Sequence, residues 1–204
     1  MSGRRLIVIG KTSVGKTVFT LNFAAYLGQR EVEIAVTSAD GATRRQRLPV
    51  AAAIRRLSGD APHQTRALHA ITLSLPAGKG EKRFDIVDTS GLIDGIHADA
   101  EIRRAMAQTL SAVREAQMIL HVVDASAAGR EGAVAAFGEV DFQVAHFAQM
   151  RGAYAILANK MDLPGAEKGL GVIRQEFVGH TILPISALHS DGFGEVKRFV
   201  WRAL

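Results

Sequence analysis

With 204 residues, 48% of them hydrophobic, the chain is long enough to bury a full core and is expected to form a single domain over residues 1–204. The absence of cysteine excludes disulfides, thiolate metal sites and cysteine nucleophiles, and agrees with a reducing, cytoplasmic setting. A net charge of +5 and a pI of about 9.9 would suit an acidic partner such as RNA. The basic residues are scattered, however, and the densest clusters, Arg44-Arg45-Gln46-Arg47 and Arg55-Arg56, contain no interleaved aromatics, so composition alone leaves RNA or a ribosome unsupported as partner. Arg4-Arg5 precede too short an apolar run for a signal peptide, no segment reaches membrane-spanning length, and Trp201-Arg202-Ala203-Leu204 carries no prenylation cysteine, so no membrane anchor is expected.

In chain order, the first element is an apolar strand from Arg4 to Ile9. It runs directly into Gly10-Lys11-Thr12-Ser13-Val14-Gly15-Lys16-Thr17, which spells GxxxxGK[ST], and then into a helix from Lys16 to Leu27. Glycines at these positions let backbone N–H groups turn inward around a phosphate, and the helix presents its positive end to the same anion. Lys16 is placed to reach the β- and γ-phosphates, and Thr17 to offer its hydroxyl to Mg²⁺. Residues 31–61 read as an extra unit, or a long ordered switch region, with a strand over Val32 to Thr37 and a helix over Pro49 to Leu57. Strands follow at Leu68 to Leu75 and Arg83 to Val87. The tight connection through Gly78-Lys79-Gly80-Glu81 makes them an antiparallel hairpin.

Asp88-Thr89-Ser90-Gly91 puts a carboxylate at the carboxyl end of the second of these strands, where an open α/β sheet binds ligands, and a glycine that lets the backbone approach a γ-phosphate. A helix from Ala98 to Glu115, a strand from Met118 to Val123, a helix from Val140 to Met150 and a strand from Ala153 to Ala158 come next. Asn159-Lys160-Met161-Asp162 then matches NKxD. A carboxylate at Asp162 can accept from N1–H and the N2 amino group of guanine, whereas adenine has an acceptor at N1 and no N2 amino group. Asn159 can tie this loop to the phosphate loop, and the stem of Lys160 can cover the base. A helix from Gly171 to Phe177, a strand from Ile182 to Ile185, the tripeptide Ser186-Ala187-Leu188 as backbone support for guanine O6, and a helix from Phe193 to Ala203 complete the chain. Alternating strands and helices of this kind predict an α/β fold.

The order and spacing of GKTSVGKT, DTSG, NKMD and SAL resemble the translation-factor class of GTPases, most closely the Era/TrmE-like bacterial GTP-binding proteins. Glu101-Ile102-Arg103-Arg104, His121-Val122-Val123-Asp124-Ala125 and Asp191-Gly192-Phe193 also resemble that group. The resemblance implies a three-layer P-loop NTPase of the Ras-like G-domain type. Its sheet would be mostly parallel and six-stranded, with one antiparallel edge strand and helices on both faces. It further implies a GTP/GDP switch that binds Mg²⁺ and slowly hydrolyses GTP, with an effector or activator protein engaging the switch regions. His63-Gln64-Thr65-Arg66 resembles the switch-I signature, so Thr65 is expected as a second metal ligand and γ-phosphate sensor, with Thr37 and Thr43 as alternatives. On this reading Lys16, Thr65 and Gly91 serve catalysis and Thr17, Thr65 and Asp88 hold the metal. Leu92 stands where Ras-like proteins place a water-orienting glutamine, which favours slow turnover or a GTP-binding scaffold with negligible hydrolysis. Asp94, His97 and Arg66 lie nearby in sequence but read as solvated loop residues. Ser13 stands where potassium-activated members carry asparagine. A rival topology, in which Glu33 to Asp40 forms a strand ending near the metal, resembles signal-recognition-type P-loop proteins.

Overall fold

The computed structural model describes residues 4–38, 41–57, 68–77, 80–89, 91–92, 100–149 and 153–204. Its strands are β1 (Arg4–Ile9), β2 (Glu31–Thr37), β3 (Thr43–Pro49), β4 (Leu68–Ala77), β5 (Gly80–Asp88), β6 (Met118–Asp124), β7 (Ala153–Asn159) and β8 (Thr181–Pro184). The helices are α1 (Lys16–Tyr26), α2 (Val50–Leu57), α3 (Ala100–Glu115), α4 (Ala125–Glu131), α5 (Ala133–Ala136), α6 (Glu139–Gln149), α7 (Ala166–Glu176) and α8 (Phe193–Ala203). All eight strands form one sheet in the order β3-β2-β4-β5-β1-β6-β7-β8. The pairs β5–β1, β1–β6, β6–β7 and β7–β8 are parallel, while β4–β5, β2–β4 and β2–β3 are antiparallel.

The burial pattern explains this layering. β6 is buried over Met118–Val123 and β7 over Tyr154–Asn159, as expected for central parallel strands covered on both faces. On one face α1, α2 and α8 close a core around Phe19, Phe23, Ile34, Phe84, Leu120 and Phe193. The Phe193 ring meets Phe19 and Phe23 edge-on at 5.4 and 5.6 Å, fixing α8 across α1. On the other face α3 to α7 close a second core that includes Ile7, Ile9, Val113, Val144, Ile156 and Ile173.

The α/β architecture with helices on both faces matches the expectation, but the sheet has eight strands rather than six. Two strands, β3 and β4, run against the rest, and β4 is internal rather than an edge. The strand over 32–37 joins the sheet between β3 and β4. The unforeseen β3 reads Thr43-Arg44-Arg45-Gln46-Arg47-Leu48-Pro49 and has almost no apolar alternation. Cross-strand ion pairs hold it instead, Arg45 to Glu33 at 3.1 Å and Arg47 to Glu31 at 2.9 Å. Pro49 closes that strand, and the helix expected from it begins at Val50. Likewise α7 starts at Ala166 rather than Gly171, because packing overrides the low helix propensity of Gly169 and Gly171. In the rival topology Asp40 would approach the metal, but it lies outside the described residues, and β2 enters the sheet through antiparallel neighbours.

Candidate nucleotide site

The GxxxxGK[ST] loop turns between β1 and α1, at the carboxyl ends of the parallel strands. Gly15, the residue before α1, has φ 98°, and a Cβ there would lie 2.5 Å from Asn159 Nδ2. Lys16 is buried, and its ammonium folds back to donate to the carbonyls of Lys11 at 2.6 Å and Gly10 at 3.1 Å. Burial lowers its pKa to about 8, against the pull of the Asp88 and Asp141 carboxylates. Thr17 Oγ1 donates to Asp88 Oδ2 at 2.6 Å. The other carboxylate oxygen, Oδ1, is buried with no hydrogen-bond partner. Burial raises the Asp88 carboxyl, opposed by the Thr17 bond and by Lys16 and His69.

An orphaned carboxylate oxygen beside a threonine hydroxyl fits Mg²⁺, which takes few protein ligands and completes its shell with water and phosphate oxygens. Thr17 and Asp88 are the residues that could hold it. The expected second threonine, Thr65, lies outside the described residues, as do Ser90, Asp94, His97 and Arg66. The alternatives Thr37 and Thr43 face each other across β2 and β3, with their hydroxyls 3.0 Å apart.

Gly91 packs on the phosphate loop, where an added Cβ would stand 2.6 Å from the Thr12 nitrogen. The next residue, Leu92, donates its N–H to the Gly10 carbonyl at 2.9 Å and buries its side chain in the second core. It is therefore a packing residue that also borders the cavity beside the phosphate loop, and its apolar side chain cannot orient a water by hydrogen bonding.

Asn159 joins the two halves of the site. Its Nδ2 donates to the Val14 carbonyl at 2.7 Å, and its Oδ1 accepts from the Ala187 N–H at 2.8 Å. Lys160 has φ 67° and extends its ammonium to Asp124 Oδ2 at 2.6 Å. Asp162 is exposed, with its carboxylate free to accept. Ser186 is buried and its Oγ accepts from the His189 N–H at 3.2 Å, while Leu188 is exposed. Between the two loops lies a cavity of about 510 Å³ lined by Lys11, Thr12, Ser13, Val14, Asp124 and Lys160, among others. The structure thus links Val14 and Gly15 of the phosphate loop to Asn159 and Ala187, Thr17 to Asp88, and Thr12 to Gly91.

Three further residues shape the site; of these Asp124 belongs to the His121-to-Ala125 run noted above, and the other two lie in no such stretch. Asp124 ends β6 as Asp88 ends β5, a positional signal that the sequence did offer; it caps α4 through Ala127 N–H at 3.0 Å as well as binding Lys160. Asn22 on α1 donates to the Ala187 carbonyl at 2.8 Å. His69 faces Asp88 across the β4–β5 ladder, with Nδ1 buried and unpartnered, and burial lowers its pKa. Neither Asn22 nor His69 carries a sequence signal, since each is defined by its tertiary neighbour.

A family profile described as a 50S ribosome-binding GTPase matches residues 5–160. The chain belongs to this family. It is a G domain of the TrmE-Era-Obg-FeoB class, in line with the resemblance in its motifs. It is 31% identical over 119 residues to GTPase Obg of Ruminiclostridium cellulolyticum, covering 56% of this chain and 27% of that protein. To GTPase Obg of Desulfosudis oleivorans it is 29% identical over 165 residues, covering 77% and 46%. Its fold is similar to Era in complex with MgGDPNP and nucleotides 1506–1542 of 16S ribosomal RNA, at TM-score 0.66 and 20% identity, covering 100% of this chain and 57% of that one. It is also similar to the G domain of T. maritima FeoB, at TM-score 0.55 and 14% identity, with 98% of each chain covered. The chain therefore spans between about a quarter and a half of the curated relatives it matches. Among the described residues no helix is long and apolar enough to cross a membrane.

Proposed function

We propose that residues 1–204 act as one G domain, a guanine-nucleotide switch that binds GTP or GDP with Mg²⁺ and hydrolyses GTP slowly unless a partner assists. The observation that carries this reading is the double hydrogen bond of Asn159, which locks the phosphate loop and the base loop into one unit. Gly10 to Thr17 cradle the phosphates, Asp162 reads N1–H and N2 of guanine, Lys160 covers the base, and Ser186 to Leu188 support O6. Lys16, released from the Gly10 and Lys11 carbonyls, turns its ammonium onto the β- and γ-phosphate oxygens. A bound Mg²⁺ would supply positive charge to offset that developing on the phosphates during in-line attack of water. Thr17 and Asp88 would hold it, Thr65 is the expected further ligand from switch I, and the Gly91 N–H would approach the γ-phosphate. GTP then orders both switch segments for an effector or activator protein, and hydrolysis releases them. The family description and the Era complex support a ribosomal partner for this chain as well.

Binding of GDP, GTP and ATP to the native chain and to Asp162→Asn tests the guanine assignment. The native chain is expected to prefer guanine nucleotides, and the variant to lose about a hundredfold or more in affinity for them, since the charge is lost and one acceptor oxygen becomes an NH2 group facing a guanine donor. Native preference for ATP would end this reading. The burial of Leu92 favours a second reading, a GTP-binding scaffold with negligible hydrolysis. Single-turnover hydrolysis with Mg²⁺ in sodium and in potassium separates the two; phosphate release in neither salt leaves the scaffold.

A further inference from the structure

The two arginine clusters that lie apart in sequence converge on one edge of the molecule. β3 is the outermost strand of the sheet, and α2 packs beside it over the first core. Arg56 on α2 donates to the Gln46 side chain at 3.0 Å and lies against the strand. Arg44, on the same face of β3 as Gln46, and Arg55, on the last turn of α2, are exposed and have no acidic partner among the described residues. Arg30, at the start of β2, is exposed and accepts the first N–H of α2 through its carbonyl, so it stands at the other end of that helix. On the opposite face Arg45 and Arg47 are tied to Glu33 and Glu31, which uses up the described carboxylates of the hairpin.

We propose that this edge, formed by β3 and α2, is a docking surface for the sugar-phosphate backbone of duplex RNA. Three observations select that occupant. The exposed positive charge is carried entirely by arginine, whose fork matches phosphate oxygens two at a time. Among the described residues no exposed large apolar side chain lies between Arg30 and Leu57, which disfavours both a membrane-inserting surface and the apolar core of a protein interface. The same lack of an exposed aromatic removes the stacking platform that single strands require, leaving a surface suited to shape and phosphate contacts. Arginine along an open edge strand also blocks pairing with another strand, so the edge stays available. The surface lies three strands from β1 and leaves the nucleotide cavity uncovered, while α2 ends eight residues before Thr65.

The test is fluorescence anisotropy of a labelled RNA duplex of about 20 base pairs, titrated with the whole chain loaded with GDP at several salt concentrations. Native protein is expected to bind with a salt slope set by its phosphate contacts. Arg44→Glu with Arg55→Glu should weaken binding at least about tenfold and lower the slope by about two, and the milder pair Arg44→Gln with Arg55→Gln should do the same in part. Reversing the exposed Arg174 on α7 should change nothing. GDP affinity, measured on the same samples, should be native in all variants. It reports separately on the nucleotide reading and on folding, because the proposal does not depend on the hydrolysis mechanism. Absence of RNA binding, RNA binding unchanged by the paired substitutions, or equal displacement by polyglutamate or by vesicles of anionic lipid would each overturn the proposal.

Discussion

At Lys16, burial and function pull in opposite directions. Its pKa of about 8 in the free protein reflects an ammonium removed from water with only carbonyls to receive its protons. Phosphate oxygens would restore the charged form, so nucleotide binding should take up a proton between pH about 8 and the ordinary lysine value near 10.4. Calorimetric titration of GDP in two buffers of different ionisation heat is expected to show that uptake at pH 9 and none at pH 7, with affinity falling above pH 8. Equal enthalpies in both buffers at pH 9 would refute it. Gly91 offers a complementary steric probe, because an added methyl would meet Thr12 backbone atoms at 2.6 and 2.8 Å. Gly91→Ala should leave GDP affinity within about threefold while slowing GTP hydrolysis by about tenfold or more, a change of about 1.4 kcal/mol in the barrier.

Two polar links fix how the elements sit on one another. His121, in the middle of β6, is fully buried, with Nδ1 2.9 Å from the Tyr154 hydroxyl of β7 and Nε2 2.8 Å from Asp141 Oδ1 of α6. An ionised Asp141 can only accept, so Nε2 carries the proton shared with it. Burial pushes the Asp141 carboxyl up, but the His121 bond, the attraction of that ring and the Gly138 N–H outweigh it and hold the group below its ordinary value. Its stabilising contribution is therefore full above the unfolded carboxylate pKa of about 3.9 and is lost as pH falls through the lower folded value. Asp141→Asn should lower the melting temperature at pH 7 and flatten the decline of stability below pH 4, read by thermal scans across pH. The second link is Asn159. Its substitution by alanine strands the Val14 carbonyl and the Ala187 N–H, at about 1–3 kcal/mol for each buried group. GDP affinity should fall even though no direct contact is removed, and an unchanged affinity would show that the loops hold their spacing independently.

For the whole molecule, the site draws on loops that follow β1, β5, β7 and β8, so a nucleotide should stabilise the fold as a unit. GDP at about one hundred times its Kd is expected to add about 2.7 kcal/mol to unfolding, visible as a single shifted transition, while ATP at the same concentration adds little. Much of this was legible in one dimension. Apolar runs marked β1, β6 and β7 because strands buried on both faces must be apolar, and GKTSVGKT and NKMD declared their chemistry because loop glycines and polar side chains at fixed spacing act locally. β3 stayed hidden because it carries almost no apolar alternation of its own and is held by its ladder to β2, with Glu31 and Glu33 offsetting two of its arginines. Leu92 was legible as a missing glutamine, but its burial against the Gly10 carbonyl was not, since only the folded loop defines its neighbours.

The sequence by itself determined the α/β class, the GKTSVGKT and NKMD motifs and the family, for all of these rest on local conformation and local spacing. Only the tertiary structure decided the eight-stranded sheet, the pairing of His69 with Asp88, the Asp124–Lys160 bond and the convergence of two arginine clusters on one edge. Those features depend on which strand lies beside which, and strand order is settled by long-range burial and charge pairing between segments far apart in the chain.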